Sequence, residues 1–395
     1  MRKTTLTTLI FIVFIYATLG AQTSESDQAY IKAMSTTNPT EKAHLLKEWL
    51  KANAGKGNQY EKYAYAELCV FPYPGKTPEE LTEYGEKALA LGGLDDFTQS
   101  RVMITIATIY SQRGQNLEKA KAYSQQVIQT AKSNKDKDSA GASAAQWNHF
   151  MGIAYYTHGI ALEKGRDPRG ALESFINSYN ILKDPQIAND LKRVGKNLYD
   201  FKFYKDAEKA FAITATALKD YPSIYLYAKT LHRNGKKDDA LKYYKQAYSM
   251  QKSGDVSYNI GIILAANAEK NPSTAPEAIN YLLEASFLSP SNSQKAMQLA
   301  ESLYFTHNKE LRYNEIVKEI QKMTKDLEDL TTDYNKRFGE KKEEDLSDTD
   351  KRMMKIMEDD IEALQKSIEE LVVKQQAALD KFKKLIDDTK KKLGK

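Results

Sequence analysis

A chain of 395 residues has length for two or three domains and ample room for a core. With 41% hydrophobic and 28% charged residues, its composition suits elongated helices with wide exposed faces better than one thick globule. Lys and Arg number 58 against 53 Asp and Glu, a formal charge of +5, too near balance to point to nucleic acid or a membrane surface as partner.

The first residues read as a targeting segment. Arg2 and Lys3 form a short positive region, Leu6 to Leu19 a mostly apolar run, and Gly20-Ala21 a small-residue exit before the polar stretch Gln22 to Asp27. This pattern predicts a secretory signal over 1–21, cleaved near Ala21. The competing reading is an uncleaved anchor, but the run falls short of the roughly 20 residues that span a bilayer. The expected mature chain is exported, periplasmic or secreted, with no transmembrane segment after cleavage. Its single cysteine, Cys69, lies in the apolar context Leu68-Cys69-Val70-Phe71 and cannot close an internal disulfide. A buried small hydrophobe is the expectation there. Glycine and proline are sparse, at 19 and 10, so helix propensity prevails and an all-α fold is predicted.

Next along the chain come repeats. Tyr155-x-x-His158-Gly159-x-x-Leu162, Leu191-x-x-Val194-Gly195-x-x-Leu198, Ile224-x-x-Tyr227-Ala228-x-x-Leu231 and Ser257-x-x-Ile260-Gly261-x-x-Leu264 share a small residue at 159, 195, 228 and 261. Each is followed by a second signature: Ala171-x3-Phe175, Ala207-x3-Phe211, Ala240-x3-Tyr244 and Ala278-x3-Leu282, with Pro290 closing the last. A small residue in one helix lets a second approach, and the large residue four positions after the alanine fills the space. Arg233-Asn234-Gly235-Lys236 and Glu163-Lys164-Gly165-Arg166 supply turns between the helices.

These residues resemble the tetratricopeptide repeat family, with the best units over 152–290 and a period near the roughly 34 residues of that helix-turn-helix unit. The pattern departs from the family in having no Trp near any unit's start and an insertion from Asn267 to Pro276. Met103-x-x-Ile106-Ala107-x-x-Tyr110 with Gly114 and Ala120 reads as a looser fifth unit, Tyr60 to Leu91 as a sixth, and Ala296 to Phe305 as a half-unit cap. The repeat domain is thereby expected over 22–308.

From 309 to 395 the apolar spacing changes to heptads. Tyr313, Ile316, Ile320, Met323, Leu327, Leu330 and Tyr334 alternate threes and fours, as do Met354, Met357, Ile361, Leu364, Ile368, Leu371, Gln375, Ala378, Phe382 and Leu385 after a turn at 339–347. An antiparallel coiled-coil hairpin is predicted, with Ser347 or Asp348 capping the second helix. The second helix outruns the first, so its end must pack on the repeats, on another subunit or on a client. Gln375 either fixes register or lies in a solvated overhang, and the lysine-rich stretch 381–395 is expected to fray.

No catalytic pattern stands out. His44, His149, His158, His232 and His307 are scattered without paired-ligand spacing, and no GxxxxGK[ST], GxGxxG or GxSxG occurs. No metal, no cofactor and no nucleic-acid partner are expected, and an enzyme is the least favoured class. The resemblance instead implies a groove along the first helix of each unit. Carried over residue by residue, that groove would be lined by Tyr156, Asn189, Lys192, Lys196, Tyr199, Tyr225, Lys229, His232, Arg233 and Tyr258. Its cations and aromatics suit an extended acidic peptide or a chain-terminal carboxylate, although the paired asparagines of the chaperone-tail clamp are missing. A plain solvated basic face is the alternative. The resulting expectation is an exported scaffold or adaptor for protein partners, with the coiled coil giving a second contact or a homo-oligomer. The rival is a periplasmic chaperone-like assembly factor for secreted or outer-membrane clients.

Overall fold

The computed structural model describes residues 24–136 and 141–395, so the expected signal segment 1–21 lies outside the described residues. The described residues form 17 α-helices joined by short turns. The chain divides into two compact units, one ending at Asp190 and one beginning at Leu191.

The first unit stacks four antiparallel pairs: α1 (Glu25–Ser35) with α2 (Pro39–Asn53), α3 (Glu61–Val70) with α4 (Pro78–Leu91), α5 (Asp96–Arg113) with α6 (Leu117–Asn134), and α7 (Ala144–Lys164) with α8 (Pro168–Leu182). Local chemistry sets the helix starts. Ser24, Asn38, Asp95 and Asp167 accept backbone N–H bonds as N-caps, while Thr77 with Glu80 and Ser143 with Gln146 close capping boxes. Prolines 39, 78 and 168 occupy first-turn positions where no amide hydrogen is needed. The α1–α2 pair was not anticipated. Its core is aromatic, with Tyr30 stacked on Tyr60 and tilted against Trp49. Cys69 is buried in the next pair, and desolvation pushes its thiol up to about 12.

α9 (Pro185–Asp200) leads into the second unit. There α10 (Tyr204–Ala217) is followed by the pairs α11 (Tyr221–Arg233) with α12 (Lys237–Met250) and α13 (Gly254–Ala268) with α14 (Ala275–Leu288). The anticipated insertion appears as a short 3-10 turn at Pro272–Thr274. The small-with-large signature holds in space within both units. A Cβ added at Gly159 would lie 2.8 Å from the Phe175 ring, one at Gly195 3.0 Å from the Phe211 ring, and one at Gly261 2.7 Å from Leu282 Cγ. Ala228 shares a buried cluster with Tyr244. The result is an all-helical, tetratricopeptide-type stack of helix pairs.

After α14 come α15 (Ser293–His307), α16 (Tyr313–Phe338) and the 45-residue α17 (Asp348–Lys392). Ser347 caps α17 by accepting from the Asp350 amide. Near the turn, Phe338, Leu346 and Met357 form a buried cluster flanked by Leu330, Tyr334 and Met354. The far end of α17 turns out to pack on the repeats. Ala378 and Phe382 enter the cluster of Ile279, Leu282, Leu283, Ala300 and Phe305, where Leu385 also packs. That end thus shares an apolar cluster with α14 and α15. The fraying expected for 381–395 is therefore corrected. Helix α17 runs to Lys392, with Lys390 over the Phe287 ring, Lys392 Nζ 3.7 Å from Glu284, and Lys395 donating to the Phe287 carbonyl. Burying Phe382 against Tyr304 and Phe305 holds the terminal lysines close enough for these contacts.

Candidate protein-interaction face

The ten residues expected to line a groove fall into distinct environments. In the first unit, Tyr156 is half-buried, its ring 5.7 Å from that of Phe175 and its hydroxyl donating to Asp190 at 3.0 Å. Burial raises the Asp190 carboxyl, and the Tyr156 hydrogen bond opposes that shift. Asn189 is exposed and donates back to the Pro185 carbonyl of its own helix.

In the second unit, Lys192 is neutralised by Asp220 at 3.0 Å. Tyr225 stacks on Tyr221 and leans on Tyr244, and burial pushes its phenol up to about 12. His232 presents its ring edge-on to Tyr244, and burial lowers its pKa. Tyr258 packs with Ile279, Leu282 and Phe382 in the cluster beneath α17. These side chains serve packing.

The remaining residues gather around Tyr199. Lys229 Nζ lies 5.1 Å from the centre of its ring, Arg233 Nε donates to its hydroxyl at 3.4 Å, and Tyr204 meets it edge-on at 5.1 Å. Burial raises the Tyr199 phenol, and the Arg233 hydrogen bond and charge oppose that shift. Lys196 stands exposed one turn earlier on α9. Among the described residues no carboxylate pairs with Lys196, Lys229 or Arg233; the exposed Asp200, next in sequence after Tyr199, is the opposing charge nearest in the chain. An arginine held through Nε keeps both terminal nitrogens free, the edge that grips a carboxylate with two parallel bonds.

Sequence reasoning missed Tyr204 and Asp190. Period arithmetic could have found Asp190, because Tyr156–Asp190 and Tyr199–Arg233 are both separated by 34 residues. Side chains one repeat apart lie on neighbouring first helices.

The helical seam residues also have defined places. Ile316 is buried, while Ile320, Met323, Leu327, Leu330, Ile361, Leu364, Ile368 and Leu371 are half-buried along α16 and α17. Phe382 and Leu385 belong instead to the docked end. Two open depressions also occur. One, of about 310 Å3, is lined by His149, Asp184 and Asn148 among apolar neighbours, without a cysteine, serine or lysine. The other, of about 260 Å3, lies between α15 and α17. Among the described residues no three His, Cys, Asp or Glu side chains cluster to hold a metal, and no helix is long and apolar enough to cross a membrane.

No family model and no curated protein matches the sequence. Solved structures similar to it include a tetratricopeptide repeat protein from Parabacteroides merdae, at 12% identity over 69% of this chain and 99% of that one, with a TM-score of 0.34. The apo form of RapI matches at 11% identity over 81% and 99%, TM-score 0.34, and yeast Tom70 at 16% identity over 90% and 66%, TM-score 0.27. At such scores the likenesses carry neither fold nor function across. The architecture rests on the paired helices and their small-with-large contacts.

Proposed function

We propose that this chain is an exported, non-catalytic scaffold or adaptor that captures an extended acidic protein segment beside Tyr199. The carrying observation is that Lys196, Lys229 and Arg233 lie on two successive first helices and, among the described residues, pair with no carboxylate, whereas Lys192 is paired with Asp220. A cationic edge with an aromatic floor favours carboxylates and supplies contact area. Fluorescence anisotropy with a labelled glutamate-rich peptide tests this. Binding that weakens with salt and with Arg233→Glu supports the reading, and equal binding of a lysine-rich peptide refutes it.

In the same proposal α16 and α17 form a coiled-coil hairpin that supplies a second protein contact. The alternating spacing of half-buried Ile320, Met323, Leu327 and Leu330 with Ile361, Leu364, Ile368 and Leu371 supports it. Export rests on the residues before Gln22, and the mass of the mature N-terminus recovered from secreting cells tests it.

One observation favours the chaperone-like alternative. Met353, Ile356, Val372 and Val373 are exposed on α17, and such side chains suit transient shelter of apolar clients. Suppression of aggregation of an unfolded outer-membrane protein, without a stable complex, would place the chain in that class.

A further inference from the structure

Tyr334 donates to Glu358 across the α16–α17 pair, which sets Tyr313, the first residue of α16, level with about Leu379. Both residues lie in one apolar cluster. Beyond Leu379, α17 therefore meets the repeats instead of α16. There Phe382 and Ala378 are buried among Ile279, Leu283 and Phe305, with Leu385 and Ile386 beside them. An apolar stripe at 378, 382 and 385 laid on neighbouring helices is the way a stack grips an amphipathic helix, and here the chain does it to itself.

The fit is incomplete along one edge. The depression of about 260 Å3 between α15 and α17 stays open, with Met297 and Glu301 on one wall and Gln376, Leu379 and Lys383 on the other. Gln376 and Lys383 are exposed and one heptad apart, so α17 presents two polar side chains where an apolar pair would close the gap. The end of the helix meets a charge as well. Glu284 is only 4% exposed, Tyr248 donates to one of its oxygens, and Lys392 Nζ faces the other at 3.7 Å. Lys390 lies over the Phe287 ring at 5.6 Å. This face thus asks for lysine in the last turn of whatever helix it holds.

We infer that this face of α14 and α15 is a binding site for an amphipathic client helix, kept closed by the end of α17 acting as a weak internal ligand. The client is a helix whose apolar stripe includes the places of Gln376 and Lys383 as well as those of Ala378, Phe382 and Leu385, and whose last turn carries lysines. Filling the depression takes apolar surface of Met297 and Leu379 or its counterpart out of water, and that increment lets the client displace a tethered segment. The site takes lysine where the Tyr199 edge takes glutamate, so failure of either reading leaves the other standing.

Three labelled peptides test it on the full chain by fluorescence anisotropy: residues 374–395 as they stand, the same peptide with Gln376→Leu and Lys383→Leu, and that leucine peptide with Lys390, Lys392 and Lys395 each changed to Glu. The leucine peptide is expected to bind about tenfold or more tightly than the natural one, which its own tethered copy outcompetes. The glutamate version is expected to bind about tenfold more weakly than the leucine peptide. A fluorophore at Lys384→Cys, with the buried Cys69 out of reach, reports the undocking of α17 as peptide binds. In the full-chain variant Gln376→Leu with Lys383→Leu the improved internal ligand shuts the site, and binding of the leucine peptide falls about tenfold while the circular-dichroism melt holds or rises. No binding by the leucine peptide, equal binding to that variant, or binding without a change at residue 384 overturns the site. A chain whose mass doubles with concentration, and which the peptide does not return to monomer, holds a second copy's α17 there and overturns the client reading.

Discussion

Arg233 donates through Nε to the hydroxyl of Tyr199 across 34 residues, one repeat length, so that its guanidinium is held by a neighbouring unit rather than by an acid. Lys192, one helix face away in sequence terms, is held by Asp220 instead. The two cations should therefore behave differently toward ligand. Arg233→Glu is expected to lower affinity for a glutamate-rich peptide by about tenfold or more, while Lys192→Ala leaves it within about twofold. Titration calorimetry of both variants checks the ranking.

Gly159 has no room for a side chain. An alanine Cβ would meet the Phe175 ring at 2.8 Å, and both helices are fixed by buried neighbours. Gly159→Ala is expected to cost about 1–3 kcal/mol through overpacking. Gly235→Ala meets open space but sits at φ 80, so only backbone strain of about 1 kcal/mol opposes it. Urea denaturation of the two variants should give the larger loss for Gly159→Ala.

Phe382 is buried between Tyr304 and Phe305. Truncating it to alanine is expected to cost about 3–5 kcal/mol, the range for a buried phenylalanine. Removing residues 309–395 altogether uncovers Ile279, Leu282, Leu283 and Phe305. Light scattering should then show self-association of the shortened chain, because an exposed apolar helix face seeks cover. A monodisperse monomer would mean that α17 does not seal the repeat stack.

His158 is half-buried, its Nδ1 3.0 Å from the Ser124 hydroxyl, and desolvation lowers its pKa, opposed by a hydrogen bond with the Lys121 backbone and by the Asp167 charge and aided by the Lys121 charge. The unfolded chain takes up a proton near pH 6.5 while the folded chain does not, so stability falls as pH drops from about 6.5 toward the lower folded value. His232 shifts in the same direction. Asp190, whose carboxyl is raised, works oppositely in the more acidic carboxylate range, where the folded form binds the extra proton. His158→Gln should flatten the loss of unfolding free energy between pH 7 and pH 5, which denaturant titrations at the two pH values read directly.

The Cys69 thiol is pushed up to about 12 by burial and packs where a Cβ on Gly85 would lie 2.9 Å from its sulfur. A thiol reagent at neutral pH should label it only as fast as the unit opens, and adding denaturant should bring labelling to completion.

Much of this was legible in the sequence because the fold is made of local contacts repeated. Glycines 159, 195 and 261 and their partners Phe175, Phe211 and Leu282 lie within one helix-turn-helix each, so spacing alone predicts that they touch. The start of α17 at Ser347 and the burial of Cys69 follow from capping chemistry and local hydrophobicity in the same way. Of the ten groove residues, three converge on Tyr199 or form its floor, while Lys192, Tyr225, His232 and Tyr258 are absorbed by partners on other helices. Spacing gives the face on which a side chain stands but not the neighbour that neutralises or covers it. Only tertiary structure decided that Asp220 pairs with Lys192, and that α17 returns across more than a hundred residues of chain to set Lys395 on Phe287. The physical reason is that helix pairing is fixed by side chains a few turns apart, whereas charge pairing and end-docking depend on which surfaces the completed stack leaves open.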